Sequence, residues 1–181
     1  MFNSTIIHFI ITSIQLLYNL KRFSLLLYII LIMNLAIDIK QYDHNCIYFC
    51  EPIKNNIMNE GYFIRILYTS PYVTLNGIYI LINLNDIICE KYYNKYKCSF
   101  DTNNNSYTIN KLKEIEENIL SKINIKNKTP QYKIYEQIKN GNIKIFNDTD
   151  INNDCTFVLK ISGIWETSNN YGLTCKFNKF K

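Results

Sequence analysis

Metal-binding side chains in this sequence are concentrated near the start of the second quarter, where His44, Cys46 and Cys50 form an H-x-C-x3-C pattern. Imidazole and thiolate groups bind zinc, but a structural zinc site takes four ligands, usually from two closely spaced pairs. Cys89 and Cys98 are too far apart in sequence to supply the second pair. We therefore predict no metal site and no cofactor.

Catalytic patterns are not recognisable in the chain. Its 5 glycines form neither a phosphate-binding loop nor a G-x-G-x-x-G turn. The acidic run Glu114–Glu117 alternates with lysines on a predicted helix, which is typical of a solvated helix face. We therefore expect a protein that is not an enzyme and acts by binding.

The terminal stretch LKISGIWETSNNYGLTCKFNKFK predicts a β-hairpin, because apolar and polar residues alternate on both sides of ETSNN. With Glu166–Asn170 as the loop, Trp165 faces Tyr171, and Gly163 faces Leu173. Ile161 then faces Cys175, and the residues on this side form the predicted core face.

On the opposite face of the predicted hairpin, Lys160 lies directly across from Lys176. Like charges opposed across two strands destabilise a sheet, and an anionic partner would turn that cost into a gain. The alternative is a chance pairing on an exposed face of a lysine-rich chain. Arg65, one of two arginines, lies in mid-strand and strengthens the case for an anionic partner.

Basic and aromatic residues together predict a surface for single-stranded nucleic acid, on which bases stack and phosphates meet cations. Trp165 and Tyr171 are either core residues or the stacking platform. The predicted nucleic-acid-binding residues are Arg65, Tyr79, Lys160, Trp165, Tyr171 and Lys176.

The apolar pattern predicts strands first, then helices, then strands again. YFIRILY and YVTLNGIYILI are rich in β-branched and aromatic residues, as strands are. Apolar residues then recur at helical spacing from Leu112 to Ile123, with Asn110 as the predicted N-cap. Thr129 and Pro130 predict the start of a second helix, which Gly141 ends.

This order predicts an α+β, strand-rich fold with a helical segment before the last strands. Two architectures fit the order. One is an antiparallel sheet with helices on one face. The other is an OB-like barrel, whose helix lies between the third and fourth strands.

The length of 181 residues and the net charge of +5 favour one weakly basic domain. Asn, Ile, Lys and Tyr dominate, while alanine occurs once, at Ala36, which indicates an AT-rich genome. A domain of this size does not need disulfides, and the 6 cysteines lie within apolar patterns. We therefore predict buried, reduced thiols.

Residues 1–32 form a doubtful hydrophobic segment, and residues 33–181 form the predicted single domain. The segment is two apolar runs interrupted by Lys21 and Arg22. Three interpretations stay open: translation upstream of a true start at Met33, a signal or membrane anchor, or an integral part of the domain.

Three segments carry a family resemblance: FCEPIKNNIMNEGYFIRILYTSPYVTLNGIYI, TPQYKIYEQIKNGNIKIF and LKISGIWETSNNYGLTCKF. Together they resemble a group of short, largely uncharacterised proteins of large nucleocytoplasmic DNA viruses, in which an SGIWET…YGLTYKF ending recurs. The resemblance covers about residues 33 to 178, and Cys175 stands where tyrosine is expected. It implies a viral gene, expression in the host cytoplasm, viral factory or virion, and reduced thiols, but no activity.

We therefore expect a small viral accessory protein, OB-like, that binds single-stranded DNA or RNA. The alternative is a non-enzymatic viral structural or protein-interaction component, whose partner is another viral protein or a second copy of the chain. A membrane is an expected partner, and a membrane-anchored or secreted location is expected, only if residues 1–32 are expressed.

Overall fold

The structure, a computed structural model, describes residues 35–55, 60–71, 73–93, 95–123, 125–145 and 155–180. All the elements below lie in one unit, Ala36–Lys181. The hydrophobic segment 1–32 and its three interpretations lie outside the described residues.

Strands make up most of the regular structure of this unit. They are β1 (Ile37–Asp38), β2 (Ile47–Phe49), β3 (Ile53–Lys54), β4 (Tyr62–Thr69), β5 (Thr74–Asn76), β6 (Ile78–Leu84), β7 (Ile88–Tyr92), β8 (Lys95–Ser99), β9 (Thr129–Gln131), β10 (Asn142–Ile145), β11 (Cys155–Glu166) and β12 (Asn170–Lys179). The helices are α1 (Ser106–Ile123) and α2 (Lys133–Ile138), and short 3-10 turns span Ile39–Gln41 and His44–Cys46.

The strands form one mixed sheet with the order β1-β6-β11-β12-β10-β8-β7. Most pairings are antiparallel, but β1 with β6, β10 with β12, and β9 with β12 are parallel. The long strand β11 is central: one edge pairs with β12, and the other pairs first with β6 and then with β4. Strands β2, β3 and β5 extend the sheet from β4.

Helices α1 and α2 cover one face of the sheet and close a single hydrophobic core. Alternate strand residues such as Ile80, Leu159 and Phe177 point into this core together with Leu112 and Ile119 of α1. The α+β, strand-rich class is therefore confirmed. The path of the sheet is open, because its end strands β1 and β7 are not paired with each other within the described ranges.

Two predicted helix starts are wrong. Helix α1 begins at Ser106, so Asn110 lies inside it. Asn105 instead orders the chain before α1, because its side chain bonds the backbone of Asn85 and Asp101. Pro130 belongs to β9, which runs beside β12. Proline has no backbone N–H to donate, and a short edge strand tolerates this because one of its sides has no neighbouring strand to bond.

The prediction of reduced thiols is wrong for one pair of cysteines. Cys89 and Cys98 are directly opposed on β7 and β8, a hairpin that the sequence pattern did not reveal, and they form a disulfide. The hairpin brings residues 9 positions apart to a Cα separation of 4.0 Å, which spacing in sequence does not show. Cys46, Cys50 and Cys175 are free.

Candidate nucleic-acid interface

The candidate interface is the outer face of the sheet, the side that points away from the core and the helices. On β4 the buried residues Ile64, Ile66 and Tyr68 alternate with Phe63, Arg65 and Leu67 on this outer face. The same alternation on β6 buries Ile78 and Ile80 and turns Tyr79 outward. Both strands thus turn one set of alternate residues toward the core and the other set to the outer face.

The terminal hairpin has the predicted register at its open end. Leu159 pairs with Phe177, Lys160 with Lys176, and Ile161 with Cys175. Since Leu159 and Phe177 are buried, the two lysines between their buried neighbours lie on the outer face. The predicted opposition of Lys160 and Lys176 is confirmed.

Toward the turn the predicted register is wrong, because a β-bulge between Ile161 and Gly163 inserts Ser162 as an extra residue. Beyond it, Trp165 pairs with Gly172 and Phe63 rather than facing Tyr171. The bulge exchanges the two faces of the strand, so Ile164 is fully buried and Trp165 lies on the outer face, half-buried. The turn is also shorter than predicted, since β12 already begins at Asn170.

The bulge marks the sheet junction, defined here as Gly77, Ser162 and Gly163, where β11 changes partner from β6 to β4. Close approach of the strands requires glycine there. A Cβ at Gly163 would lie 2.4 Å from the carbonyl oxygen of Ile64, and one at Gly77 would lie 2.7 Å from that of Ile161. Gly77 also has a φ of +106°, which favours glycine.

A chain of side-chain contacts crosses this junction on the outer face. The Arg65 guanidinium donates a hydrogen bond to Asn76 Oδ1 at 3.0 Å. The Tyr79 hydroxyl donates to the Asn76 carbonyl at 3.5 Å, and the Lys160 ammonium lies 5.1 Å above the Tyr79 ring centroid. The structure thus brings together Arg65, Tyr79, Lys160 and Lys176. Sequence reasoning missed Asn76, because its role depends on the pairing of β5 with β4.

Trp165 lies at the other end of the outer face in a crowded setting. The Lys133 ammonium lies 4.9 Å from its ring centroid, a cation–π distance. A Cβ at Gly172 would lie 2.7 Å from Trp165 Cζ2, so the ring rests against the glycine backbone. The ring is therefore held in place and carries a lysine rather than lying open.

Tyr171 is not part of the outer face, and its prediction as a binding residue needs correction. The bulge places it opposite Glu166 on the core face, where the side chain is only 4% exposed. Its hydroxyl donates to the carbonyl of Leu120 in α1 at 3.5 Å. Burial raises the pKa of the Tyr171 hydroxyl, so the phenol stays neutral and serves packing.

The acidic run on α1 is only partly solvated, which corrects a second prediction. Glu114 and Glu117 are exposed and pair with Lys111 and Lys113, but Glu116 is completely buried. Its two carboxylate oxygens accept hydrogen bonds from the backbone N–H groups of Ile134 at 3.0 Å and Tyr135 at 2.8 Å. Glu116 therefore caps the start of helix α2 from another helix.

In the parts of the chain that the structure describes, no group of three or more His, Cys, Asp or Glu side chains is placed to hold a metal ion. Among the helices of those same parts, none combines the length and apolar character that crossing a bilayer requires.

In comparisons with known proteins, no family model matches the chain, and no curated protein and no solved structure is significantly similar to it.

Proposed function

We propose that the outer face binds single-stranded nucleic acid and that the protein acts by this binding rather than as an enzyme. The contact chain from Arg65 through Asn76 and Tyr79 to Lys160, which faces Lys176, carries the proposal. Three cations from three paired strands lie on one face of the sheet. The proposed binding residues are Arg65, Tyr79, Lys160, Lys176 and Trp165, without Tyr171.

Electrostatics favours an anionic polymer as the partner. Lys160 and Lys176 are directly opposed, so a phosphate between them relieves their repulsion and gains attraction to both. A protein that neutralises phosphates releases counterions, and its affinity falls with salt by a slope of about −0.7 per contact for single strands. Arg65, Lys160 and Lys176 together predict a slope of about −2.

The aromatic rings have a supporting role in the proposal. Lys160 lies over Tyr79, and Lys133 lies over Trp165. A base stacks on either ring only when the lysine moves off it toward a phosphate. Because the chain has 1 tryptophan, binding near Trp165 changes a fluorescence signal that has a single source.

The test is fluorescence anisotropy of a labelled oligothymidylate titrated with the full chain at low ionic strength. The wild-type protein is expected to bind, and Lys160→Gln with Lys176→Gln is expected to weaken binding by about tenfold or more at low salt. The matched control is Lys113→Gln with Lys139→Gln. Both control lysines lie on the helical layer against the Tyr135 ring, and the change in net charge is the same.

Two results contradict the proposal. One is a wild-type protein that leaves the anisotropy unchanged even at low salt. The other is binding that the control pair weakens as much as the Lys160 and Lys176 pair does, since this would reflect net charge and no particular face.

A protein-interaction role is the second candidate, and exposed apolar residues favour it. Tyr48 and Ile53 are 62% and 54% exposed and pair with Leu67 and Phe63 on the outer face. Such a patch can bury itself against another viral protein or a second copy of the chain. Light scattering of the purified protein tests it: a stable oligomer without affinity for the oligonucleotide supports this role.

A viral origin and a location in the host cytoplasm, viral factory or virion are proposed from the family resemblance alone. The Cys89–Cys98 disulfide favours the alternative of a secreted or membrane-anchored protein, because disulfides persist in oxidising compartments. Tagging the full chain at its C-terminus and locating it in expressing cells separates the two.

A further inference from the structure

The outer face carries more cations in line with Lys160 and Lys176 than the terminal hairpin shows. Strand β10 runs parallel to β12 with Ile145 beside Phe177, so the preceding residues Lys144 and Lys176 are also neighbours. Lys144 in turn lies directly opposite Lys97 on β8. Residues Lys160, Lys176, Lys144 and Lys97 thus form a lysine row across β11, β12, β10 and β8.

The core forces all four lysines onto the same face. Each is followed or preceded by a buried residue that must point inward, since side chains alternate along a strand. These buried neighbours are Leu159, Phe177, Ile145 and Cys98. Lys176, Lys144 and Lys97 are exposed, and Lys160 is half-buried beneath its contact with Tyr79.

We propose that this lysine row is the path of the bound nucleic acid, which crosses the strands from Tyr79 on β6 to Lys97 on β8. The inference rests on the proposed function and adds Lys144 and Lys97 to its residues. Neighbouring strands lie about 4.8 Å apart, so the row spans about 15 Å, the length of about four stacked nucleotides.

Charge complementarity identifies the occupant as an extended phosphodiester chain. Lysines on adjacent strands repel one another, and each interior member has a lysine on both sides. A linear array of phosphates matches a linear array of ammonium groups. A depression lies at the far end of the row, where the bound nucleic acid would leave the sheet. It is lined by Lys95, Tyr96, Lys97, Asn142 and Lys144.

Glu90 marks the end of the path. It lies opposite Lys97 on β7 and is exposed. A carboxylate at this position repels a phosphate chain, so the nucleic acid leaves the sheet at β8 instead of continuing over β7. Tyr79, whose ring holds Lys160 at the opposite end, marks where the path begins.

The test compares three double variants of the full chain with the labelled oligothymidylate over a range of salt concentrations. They are Lys97→Gln with Lys144→Gln, Lys160→Gln with Lys176→Gln, and the control Lys113→Gln with Lys139→Gln. With Lys144 and Lys97 added, the wild-type salt slope is expected to be about −3.5, and the first two pairs are each expected to reduce it by about 1.4 and to weaken binding, while the control changes neither. Thermal melts check that all variants fold; the substituted side chains are exposed except those of Lys113 and Lys160, which are half-buried.

The outcomes separate the row from the proposed function. If the Lys97 and Lys144 pair behaves like the control while the Lys160 and Lys176 pair is impaired, nucleic-acid binding stands and the row is overturned. If the wild-type protein does not bind, the proposed function fails and the path fails with it. If polyglutamate binds through the same lysines and the oligonucleotide does not, the occupant is an acidic protein segment and the inference is overturned.

Discussion

Lys160 and Lys176 lie directly opposite each other on the outer face of antiparallel strands β11 and β12. The pairing is imposed by the core, because Leu159 and Phe177 on either strand must be buried together. A like-charged pair at this position costs stability in the free protein, and that cost can be measured.

Replacing Lys176 with glutamine removes the repulsion without adding a charge. We expect Lys176→Gln to increase the free energy of unfolding by about 0.2–0.5 kcal/mol at low salt, with the gain shrinking at high salt because ions screen exposed charges. Urea denaturation at two ionic strengths measures both effects. The control is Lys91→Gln on β7, since Lys91 faces Tyr96 and no lysine. A loss of stability in Lys176→Gln equal to that of the control contradicts the prediction.

Glu116 is expected to stabilise the start of α2 through its two hydrogen bonds to the backbone N–H groups of Ile134 and Tyr135. In Glu116→Gln one oxygen is replaced by an NH2 group, which donates and cannot accept from a backbone N–H. We expect the variant to lose about 1–3 kcal/mol of stability, the cost of leaving a buried donor unsatisfied. Urea denaturation measures the loss, and Glu117→Gln at an exposed position is the control.

The same residue predicts a pH dependence. Burial raises the pKa of Glu116 above its ordinary value, although the two backbone hydrogen bonds oppose the shift. The folded protein therefore holds this proton more tightly than the unfolded chain does, and stability falls as pH rises from the unfolded pKa through the folded pKa. The stability difference between wild type and Glu116→Gln is expected to shrink as pH rises above about 4.3. A difference that grows over this range would show that the hydrogen bonds outweigh burial.

Alanine substitutions at the two hairpin glycines are expected to differ. At Gly163 the new Cβ meets the backbone of Ile64, which cannot move without disturbing the sheet. At Gly172 it meets the Trp165 ring at 2.7 Å and the Gln131 carbonyl oxygen at 3.0 Å, so its closest clash is with a side chain and the backbone clash is milder than at Gly163. Since overpacking costs about 1–3 kcal/mol, we expect Gly163→Ala near the top of that range and Gly172→Ala below it. Only Gly172→Ala should change the tryptophan emission of the folded protein.

The disulfide between Cys89 and Cys98 is expected to stabilise the β7–β8 hairpin by restricting the unfolded chain. For a loop of this length the contribution is about 2–3 kcal/mol. Thermal unfolding with and without a reductant measures it, and Cys89→Ser with Cys98→Ser should be insensitive to the reductant. Forming the disulfide lowers the intact mass by two hydrogens. An unreduced protein that has the mass of the fully reduced chain would refute the bond.

Two local patterns in the sequence determined much of this fold. Apolar and polar residues alternate with a period of two along β4, β6 and the open end of the terminal hairpin. Because each strand must bury one side, this alternation separates its buried residues from its outward ones. On each strand it separates the buried residues from Arg65, Tyr79, Lys160 or Lys176, and the pairing of the strands then brings these four onto one outer face. The apolar spacing of α1 likewise identified its buried side, apart from Glu116.

Only the tertiary structure decided the features that depend on partners distant in sequence. The bulge at Ser162 occurs where β11 passes from β6 to β4, and it moved Trp165 outward and left Tyr171 inside. The burial of Glu116 depends on a second helix that supplies two N–H groups, and the Cys89–Cys98 bond depends on the hairpin register. The lysine row depends on β10 lying beside β12. Alternation along one strand indicates which face of that strand a residue occupies, but only the pairing of strands decides which residues lie next to it.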